Sequence, residues 1–258
     1  MQIKGFKYID ENGQKELQLV MPKELETLFK ATIYCKGDIM DISEGNPEKT
    51  WHLMSSNFNN IHLVAPHQVH GTKVIPSTSQ YALPLRPKAD GVLITSSSDS
   101  MASLRFADCA PVVLASVAPE PWMMLLHSGF VGTVKNISGK SLATFSKKGS
   151  ALKGERVWAW IGPCICKDCY SRKIDDPSTQ NALKVYSPEN YYDKNGMVYF
   201  DIRGEIKRQL MRCGLPCDNI YEVDGCTYCN SGSYYSYRAG DERARMFLLG
   251  GNTTKAAH

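Results

Sequence analysis

Two apolar runs near the middle of the chain give the strongest structural signal in the sequence. Residues 111–117 (PVVLASV) and 122–126 (WMMLL) contain almost no polar side chain, and the short sequence APEP lies between them. A run without apolar–polar alternation is typical of a strand that is covered on both faces. We therefore predict two neighbouring buried strands joined by a tight turn.

Shorter segments predict the remaining elements. Apolar and β-branched or alternating segments predict strands at 61–65, 91–96 and 156–161. Apolar residues at helical spacing predict helices at 22–30, 134–148, 177–186 and 201–214. Asp201 suits the N-cap of the last of these helices, and Gly214 suits its end. Residues 31–60 form an irregular stretch without a readable period.

The order of these elements bears on the fold class. Strands and helices are mixed without the strict strand–helix alternation of a parallel sheet. The sequence shows no internal repeat, no low-complexity stretch and no Gly/Ser/Pro-rich linker between two halves. We predict an α+β fold, with residues 1–258 forming a single domain of mixed β-sheets covered by outer helices.

Composition and charge narrow the range of functions. Hydrophobic residues make up 43% and charged residues 22% of the 258 positions, which is enough apolar material for a sizeable core. The formal net charge of +4 is small and the basic residues are scattered, which argues against nucleic acid as the main partner. No apolar stretch is long enough for a signal peptide or a membrane span, so we expect a cytoplasmic protein without a membrane partner.

Three short segments carry residues that can bind a metal ion. His67 and His70 lie in the sequence HQVHG. Cys109 precedes one of the predicted buried strands, and His127 ends the other. Two imidazoles and one thiolate suit zinc and leave its fourth position open, as in catalytic zinc sites. Taken singly, each segment is more typical of a buried structural histidine or a packed cysteine.

The same segments belong to a longer ordered set of motifs. After HQVHG at 67–71 come ADGVLIT at 89–95, ADCAP at 107–111, HSGFVGT at 127–133, IGPCI at 161–165, CT at 226–227 and SYR at 236–238. Each motif is weak alone, but the ordered set is specific. Over about residues 60–250 the chain resembles the multicopper polyphenol oxidase, or laccase-domain, family of YfiH-type proteins.

The resemblance implies a function and a set of site residues. Members of this family are described as zinc-dependent purine nucleoside phosphorylases with associated adenosine deaminase activity. The family's metal ligands, which we take as the catalytic residues, fall on His70, Cys109 and His127, and His67 stands beside the site. The implied fold is a single α+β domain, the implied cofactor is zinc, and the implied partners are adenosine or inosine and phosphate. The sequence sets no oligomeric state.

Phosphorolysis needs an anion site, and several residues are candidates for binding the substrates. Gly129 and Lys135 lie where a helix is predicted to begin, and a helix N-terminus attracts phosphate; a plain strand-to-helix turn is an equally good interpretation. Arg238 and Arg243 match retained positions of the family's late motif. Asp108, beside Cys109, either orients a ligand histidine or closes the turn before the strand.

The chain also departs from the family pattern at three places. Phe130-Val131 stands where the family has Trp-Arg, and Ser171-Arg172 stands where it has Glu-Val. Glu242 replaces the glycine of the late Gly-Arg pair. The ligand triad is kept while an arginine and a glutamate of the substrate apparatus are lost. We therefore expect weak or altered activity on nucleosides.

Three other functions compete with the nucleoside enzyme. In a cysteine hydrolase, Cys109 would be the nucleophile, His127 the base, and Asp108 or His70 the orienting residue. In a non-catalytic metal-binding module, the fold and the metal would be kept without the reaction, which the lost substrate positions favour. A copper oxidase is less well supported than a zinc enzyme, because three clustered histidines cannot build a trinuclear copper centre.

A second group of cysteines lies outside the triad. The chain has nine cysteines, an odd number, and without an export signal we expect thiols or metal ligands. Cys166-x-x-Cys169 and Cys226-x-x-Cys229 have the spacing of a structural four-cysteine zinc site. Cys164 adds a fifth thiol, and both pairs lie within the family motifs. Reduced thiols packed side by side are therefore the favoured interpretation, with a structural metal as the alternative.

Overall fold

The described part of the chain contains sixteen strands and seven α-helices. The structure, a computed structural model, describes residues 2–11, 13–54, 61–118, 120–146 and 156–253. The strands are β1 (Gln2–Ile3), β2 (Phe6–Glu11), β3 (Gln14–Leu19), β4 (Phe29–Gly37), β5 (His62–Val64), β6 (Val74–Pro76), β7 (Gly91–Thr95), β8 (Ser100–Phe106), β9 (Ala110–Ser116), β10 (Trp122–Ser128), β11 (Val157–Ile161), β12 (Ser171–Lys173), β13 (Tyr191–Lys194), β14 (Met197–Phe200), β15 (Ile220–Glu222) and β16 (Met246–Asn252). The helices are α1 (Lys23–Glu26), α2 (Asp38–Ser43), α3 (Pro47–Met54), α4 (Phe130–Val134), α5 (Ile137–Ser146), α6 (Pro177–Leu183) and α7 (Ile202–Arg212).

The strands form two large sheets and one small sheet. The strand order is β1-β2-β3-β4-β16-β8-β5 in the first, β15-β11-β9-β10-β7-β6 in the second and β12-β14-β13 in the third. Most neighbours are antiparallel, but β5 runs parallel to β8, β6 to β7 and β11 to β15. Both large sheets are therefore mixed, which confirms the predicted α+β class.

The hairpin of β9 and β10 lies at the centre of the six-stranded sheet and is buried throughout, as predicted. One side of it packs into the core shared with the seven-stranded sheet, through Val113, Ala115, Met123 and Leu125. The other side packs towards the helices, through Val112, Leu114, Met124 and Leu126. The apolar runs lack alternation because both faces of these strands are covered.

Helices α4, α5 and α7 cover the outer face of the six-stranded sheet. The predicted ends of α7 are confirmed. The Asp201 carboxylate accepts a hydrogen bond from the Gly204 N–H at 2.8 Å. Gly214, just beyond the helix, adopts a φ of 93°, which favours glycine. Within the described ranges, no helix is both long and apolar enough to span a lipid bilayer.

The first sixty residues differ most from the prediction. The helix expected at 22–30 is the single turn α1, because Phe29 already begins β4. The stretch at 31–60 is not irregular as far as it is described, since it contains most of β4 and all of α2 and α3. β4 lies between β3 and β16, and β16, which is distant in sequence, satisfies one side of its backbone. Residues 55–60 lie outside the described residues.

The helix expected at 134–148 is in fact two helices. α4 ends at Val134 and α5 begins at Ile137. Asn136, between them, has a φ of 59°, a left-handed conformation that interrupts a right-handed helix. Residues 147–148 of the predicted helix, and the side chain of Phe145, lie outside the described residues.

Candidate metal site and its pocket

The register of the central hairpin brings the predicted cysteine and histidine together. β9 and β10 pair antiparallel, and their last pair is Ser128 with Ala110. Cys109, one residue before that pair, and His127, within β10, therefore lie at the same end of the sheet. Continuing the register by one residue places Gly129 opposite Cys109.

The buried carboxylate of Asp90 holds both histidines of this site in place. Its Oδ1 lies 2.9 Å from His127 Nδ1 and accepts from the His70 N–H at 2.9 Å. Its Oδ2 accepts from the N–H groups of Gly71 at 2.6 Å and Val69 at 3.2 Å. Asp90 immediately precedes β7, which pairs with β10, so the sheet itself places this carboxylate beside the histidine.

The three predicted ligands meet in one cluster. The ligand atoms of His70, Cys109 and His127 all lie within 4.8 Å of one another. Because the Asp90 carboxylate is an acceptor, its contact with His127 places a proton on Nδ1 and leaves Nε2 free to bind a metal ion. Two imidazoles and one thiolate at this spacing fit zinc with one open position. Zinc binding itself stays a prediction.

Burial sets the protonation states of the cluster. Burial lowers the pKa of His127, although its hydrogen bond with Asp90 opposes this effect. At neutral pH His127 is therefore the neutral imidazole that metals bind. Burial, and then the charge of Asp108, raise the pKa of the Cys109 thiol to about 12. Such a thiol is protonated at neutral pH and becomes a thiolate when a cation compensates its charge.

Asp108 closes the turn before β9 and does not orient a histidine. Its Oδ1 accepts from the Thr227 hydroxyl at 2.7 Å, and its Oδ2 accepts from the Arg238 N–H at 2.8 Å. Its φ of 80° lies in the left-handed region that residues other than glycine rarely adopt. Of the two roles proposed from the sequence, the structure shows the turn, and the orienting carboxylate is Asp90.

The cluster lines a cavity of about 700 Å³, which is within the range of small-molecule sites. Beyond the three ligands, the lining includes four arginines, two tyrosines and a set of smaller and acidic residues. These are Arg105, Arg238, Arg243, Arg245, Tyr170, Tyr237, Glu44, Gly45, Gln68, Ala107, Asp108 and Glu242. Four arginines against the three carboxylates of Glu44, Asp108 and Glu242 leave one positive charge in excess in this lining.

Arg105 is a partly buried arginine of this lining. Burial, and then the neighbouring charges of Arg86 and Arg245, lower its pKa to about 10. Arg105 still carries its charge at neutral pH, so like charges are held close together. A bound anion relieves this repulsion. The arginine group therefore suits an anionic ligand such as phosphate.

The two arginines predicted from the sequence both reach the cavity. The Arg238 guanidinium lies 5.2 Å from the centre of the Tyr170 ring, and it is anchored by weak contacts of 3.4 and 3.5 Å to the Ser171 carbonyl. Arg243 is mostly exposed and lies 3.6 Å from the carboxylate of Glu44. Both side chains keep donors available for a ligand.

The other predicted substrate residues lie around the metal cluster. A Cβ on Gly129 would lie 2.2 Å from the Cys109 sulfur, so the thiol itself requires glycine there. Lys135 donates from Nζ to the His70 carbonyl at 3.0 Å and so supports the histidine loop. His67 is exposed and is not part of the cavity lining. An anion-binding role for Gly129 and Lys135 stays a prediction.

Several site residues were not predicted from the sequence. Asp90 lies in the motif ADGVLIT directly before a predicted strand, and Arg105 lies two residues before ADCAP, so both positions are close to a motif. Tyr170 and Arg245 come from loops far along the chain that the quoted motifs do not include, and Tyr237, although it lies in the SYR motif, was not assigned a role. Their role depends on how the loops meet.

The four cysteines of the second group also lie close together. The sulfurs of Cys166, Cys169, Cys226 and Cys229 all lie within 4.8 Å of one another. Cys164, the fifth thiol of the region, is fully buried, and it bonds through its backbone to the neighbouring loop. The group is distinct from the triad, since the two groups share no residue.

Replacing Asp90 tests its role as the residue that positions the histidines. In Asp90→Asn the amide cannot accept from all the groups that the carboxylate now binds, so His127 and His70 lose their common anchor. We expect zinc affinity at the triad to fall by about 10- to 100-fold, measured by competition with a chelating dye. Asp99→Asn is the control, because Asp99 binds Ser79 and Ser100 outside the site. Equal affinities in the two variants would contradict the role of Asp90.

The thermal stability of Asp90→Asn should also depend on pH differently from that of the wild type. Burial raises the pKa of Asp90, but hydrogen bonds from His127 and the Gly71 and Val69 backbone outweigh this and hold the pKa below its ordinary value. The charged form therefore stabilises the fold at neutral pH, and this stabilisation is lost as the pH falls through the native pKa. In metal-free protein we expect Asp90→Asn to show a smaller loss of melting temperature on acidification than the wild type.

Comparison with known proteins finds one matching family model and several curated relatives. The model of the family described as multi-copper polyphenol oxidoreductase laccase matches residues 39–249. Among curated relatives, Adenosine deaminase RL5, from an unknown prokaryotic organism, is 27% identical over 186 residues, which are 68% of this chain and 69% of that protein. A purine nucleoside phosphorylase of Xylella fastidiosa is 28% identical over 198 residues, which are 71% of each chain.

Solved structures show the same fold. The crystal structure of the hypothetical protein YfiH of Bacillus licheniformis superposes with a TM-score of 0.77, covering 96% of this chain and 99% of that one. The two sequences are 18% identical. The arrangement of two mixed sheets with outer helices is therefore shared at low sequence identity.

Proposed function

The chain belongs to the multi-copper polyphenol oxidoreductase laccase family, and from this premise we propose that it is a zinc-dependent purine nucleoside phosphorylase acting on adenosine and inosine. One observation supports this above the others: the His70, Cys109 and His127 cluster shares its cavity with four arginines. A nucleophilic phosphate needs cationic donors, and the arginines are next to the residues that would hold the metal.

The protein's own residues mainly bind and orient the two substrates of the reaction. A phosphate oxygen forms a bond to C1′ of the ribose while the bond from C1′ to the purine nitrogen breaks, and the base leaves with the electron pair and takes up a proton. The arginines hold the phosphate against the sugar, and Tyr170 and Tyr237 offer apolar ring surface to the nucleoside. When bound, zinc supplies a Lewis acid that polarises the substrate atom or water placed beside it.

Adenosine deamination is the accompanying activity that we propose, because one curated relative carries that name. In this reaction a water oxygen forms a bond to C6 of the purine while the C6–N bond breaks, and the amino group leaves as ammonia; the sugar is unchanged. The same triad serves both reactions only if the nucleoside can present either end to the metal, and a cavity of about 700 Å³ has room for that. Product analysis separates the two activities.

A cysteine hydrolase is the second candidate, because Asp90, His127 and Cys109 also form a carboxylate–imidazole–thiol series. Two observations favour the metal. His70 joins the cluster as a third ligand, which a hydrolase does not require. The raised pKa of Cys109, caused mainly by burial, keeps the free thiol protonated and weakens it as a nucleophile.

The choice of metal follows from the ligand set. Two imidazoles and one thiolate suit zinc, and the same set occurs in mononuclear copper sites. The family name refers to several copper ions, but the triad offers ligands for one ion. We propose zinc, and metal analysis of the purified protein should count copper beside it.

The proposed function predicts phosphate-dependent cleavage of nucleosides. Protein incubated with adenosine or inosine and phosphate should release the free base and ribose 1-phosphate, resolved by chromatography. We expect weak turnover, since each charged group that no longer stabilises the transition state, at positions 131 and 171, costs about 2–4 kcal/mol, or roughly a hundredfold or more in rate. His127→Ala is the inactive control. Base released without phosphate would identify a nucleosidase, inosine formed from adenosine would identify the deaminase, and no turnover beyond the control would favour a binding module.

A variant and its control test, in the same assay, whether the arginines bind the phosphate anion. Arg238→Ala removes the guanidinium but keeps the backbone N–H that bonds Asp108. A charge-assisted hydrogen bond is worth about 1.5–3 kcal/mol, so we expect the KM for phosphate to rise roughly 10- to 100-fold. Arg212→Ala, an exposed arginine at the end of α7, is the matched control.

A further inference from the structure

Four cysteine sulfurs outside the triad converge at one point of the structure. Cys166 and Cys169 come from the loop that follows β11, and Cys226 and Cys229 come from the loop that follows β15. All four sulfurs lie within 4.8 Å of one another, and Sγ of Cys169 is 3.4 Å from Sγ of Cys229. Four sulfurs bound at about 2.3 Å around one tetrahedral zinc ion are about 3.8 Å apart. The observed spacing is close to that arrangement.

The backbone around the sulfurs favours thiolates. The N–H groups of Cys166 and Cys229 both point at Sγ of Cys226, at 3.3 and 3.4 Å. The chain also turns tightly within each pair, with the Cys169 N–H donating to the Cys166 carbonyl. An N–H that points at a sulfur stabilises its negative charge, and a tight turn aims both cysteines of a pair at one centre.

The exposure of the four cysteines argues against simple packing. A cysteine that acts as a small apolar residue is buried, as Cys164 is in the same region with 0% exposure. In contrast, Cys166 and Cys169 are only half-buried and Cys229 is exposed. Cys226 is buried in the core, but the other three thiols are at least partly exposed and gain less from apolar burial, so packing alone does not account for the convergence of all four.

We propose that Cys166, Cys169, Cys226 and Cys229 bind a structural zinc ion, separate from the metal of the triad. Two Cys-x-x-Cys pairs supply four soft ligands and leave no open position, which is the pattern of a site that stabilises a fold and performs no reaction. The proposal differs from the packed-thiol interpretation that the sequence favours. The proposal does not depend on the proposed enzyme activity.

The zinc ion fastens together two loops that build the wall of the pocket. Tyr170, which lines the pocket, directly follows Cys169. Thr227, which directly follows Cys226, donates to the Asp108 carboxylate beside the triad. Further along the second loop, Arg238 lies over the ring of Tyr170. One ion at the four thiolates therefore fixes the distance between the two halves of this wall.

Metal content tests the proposal directly. Protein purified under reducing conditions should contain about two zinc ions per chain, measured by plasma mass spectrometry. Cys229→Ser and Cys169→Ser should each contain about one, and so should Cys109→Ala, which removes a ligand of the triad instead. The double variant Cys109→Ala/Cys229→Ser should contain none. Cys217→Ser, an exposed cysteine outside both groups, is the matched control and should keep both ions.

Cobalt and heat provide readouts that do not involve catalysis. In Cys109→Ala reconstituted with cobalt, four thiolate ligands should give strong sulfur-to-cobalt absorption and the visible bands of a tetrahedral ion, and Cys229→Ser should abolish them. A chelator should lower the melting temperature of Cys109→Ala and leave that of the double variant unchanged.

Three results would overturn the proposal. The first is a wild type with one zinc ion that Cys109→Ala removes entirely. The second is a disulfide between Cys169 and Cys229 in freshly purified protein with no metal at the group, detected by mass spectrometry. The third is iron in place of zinc at the four thiolates, which would keep the site and reject the metal assigned to it. If nucleoside cleavage is absent but two zinc ions are found, the enzyme proposal fails and this one stands.

Discussion

Cys109→Ala should lose the zinc ion of the triad and with it nucleoside cleavage, by about a thousandfold or more, or at least ~4 kcal/mol of barrier. The thiolate is the single anionic ligand among His70, Cys109 and His127, and the remaining two neutral imidazoles hold zinc weakly. The measurements are zinc content and the rate of base release from inosine with phosphate. We expect the fold to persist, because alanine fills most of the volume of a small buried side chain.

The control for this variant is the accessibility of the thiol. In the wild type, zinc should make alkylation of Cys109 by iodoacetamide slow, and chelation should make it faster, since the metal competes for the sulfur. Peptide mapping after alkylation identifies the modified residue. Rapid alkylation in the zinc-loaded protein, together with a trapped covalent substrate adduct on Cys109, would reject the metal role and establish the cysteine hydrolase.

Gly129→Ala should remove zinc from the triad almost as completely, although residue 129 offers no ligand. Its added Cβ would lie 2.2 Å from the Cys109 sulfur and 3.2 Å from its Cβ. A non-bonded approach of this kind needs about 3.5 Å or more, so the sulfur must move by more than about 1 Å. The backbone of Gly129, with φ of −85° and ψ of −172°, suits alanine, so the effect is steric. Zinc titration of the metal-free variant measures it.

A second glycine variant separates this effect from general damage. Gly232→Ala adds the same methyl group at a position where no atom lies within 4 Å of the new carbon. It should bind zinc and melt as the wild type does. If Gly129→Ala binds zinc at the triad with wild-type affinity, the cysteine does not occupy the position that the hairpin register gives it, and the arrangement of the site is wrong.

The fold could be predicted where the local sequence alone shows that a segment is buried. The runs at 111–117 and 122–126 could only be strands covered on both faces, and the hairpin formed as predicted. β4 and β16 escaped prediction because their hydrogen-bond partners lie elsewhere in the chain; β16, for example, pairs with β4 and β8. A local pattern carries no information about such long-range pairs.

The residues of the candidate site also fall into those that the sequence could predict and those that it could not. The candidate ligands could be named because the ordered motifs HQVHG, ADCAP and HSGFVG resemble those of a known family; the residue types and their spacing alone did not single them out. The orienting carboxylate could not be assigned. Asp108 was the nearer candidate in sequence, but its oxygens face Thr227 and Arg238, while Asp90 reaches His127 across the sheet.

The sequence by itself determined the chemistry that this protein can hold: two imidazoles and a thiolate beside a buried hairpin, two Cys-x-x-Cys pairs, and the α+β class. The tertiary structure decided which of these groups meet. It joined residues 166–169 to residues 226–229, brought Arg105 of β8 beside the three arginines of the loop before β16, and set Gly129 against the thiol. The reason is physical: residue type fixes what an atom can bind, whereas strand register and loop packing fix the distances on which binding depends.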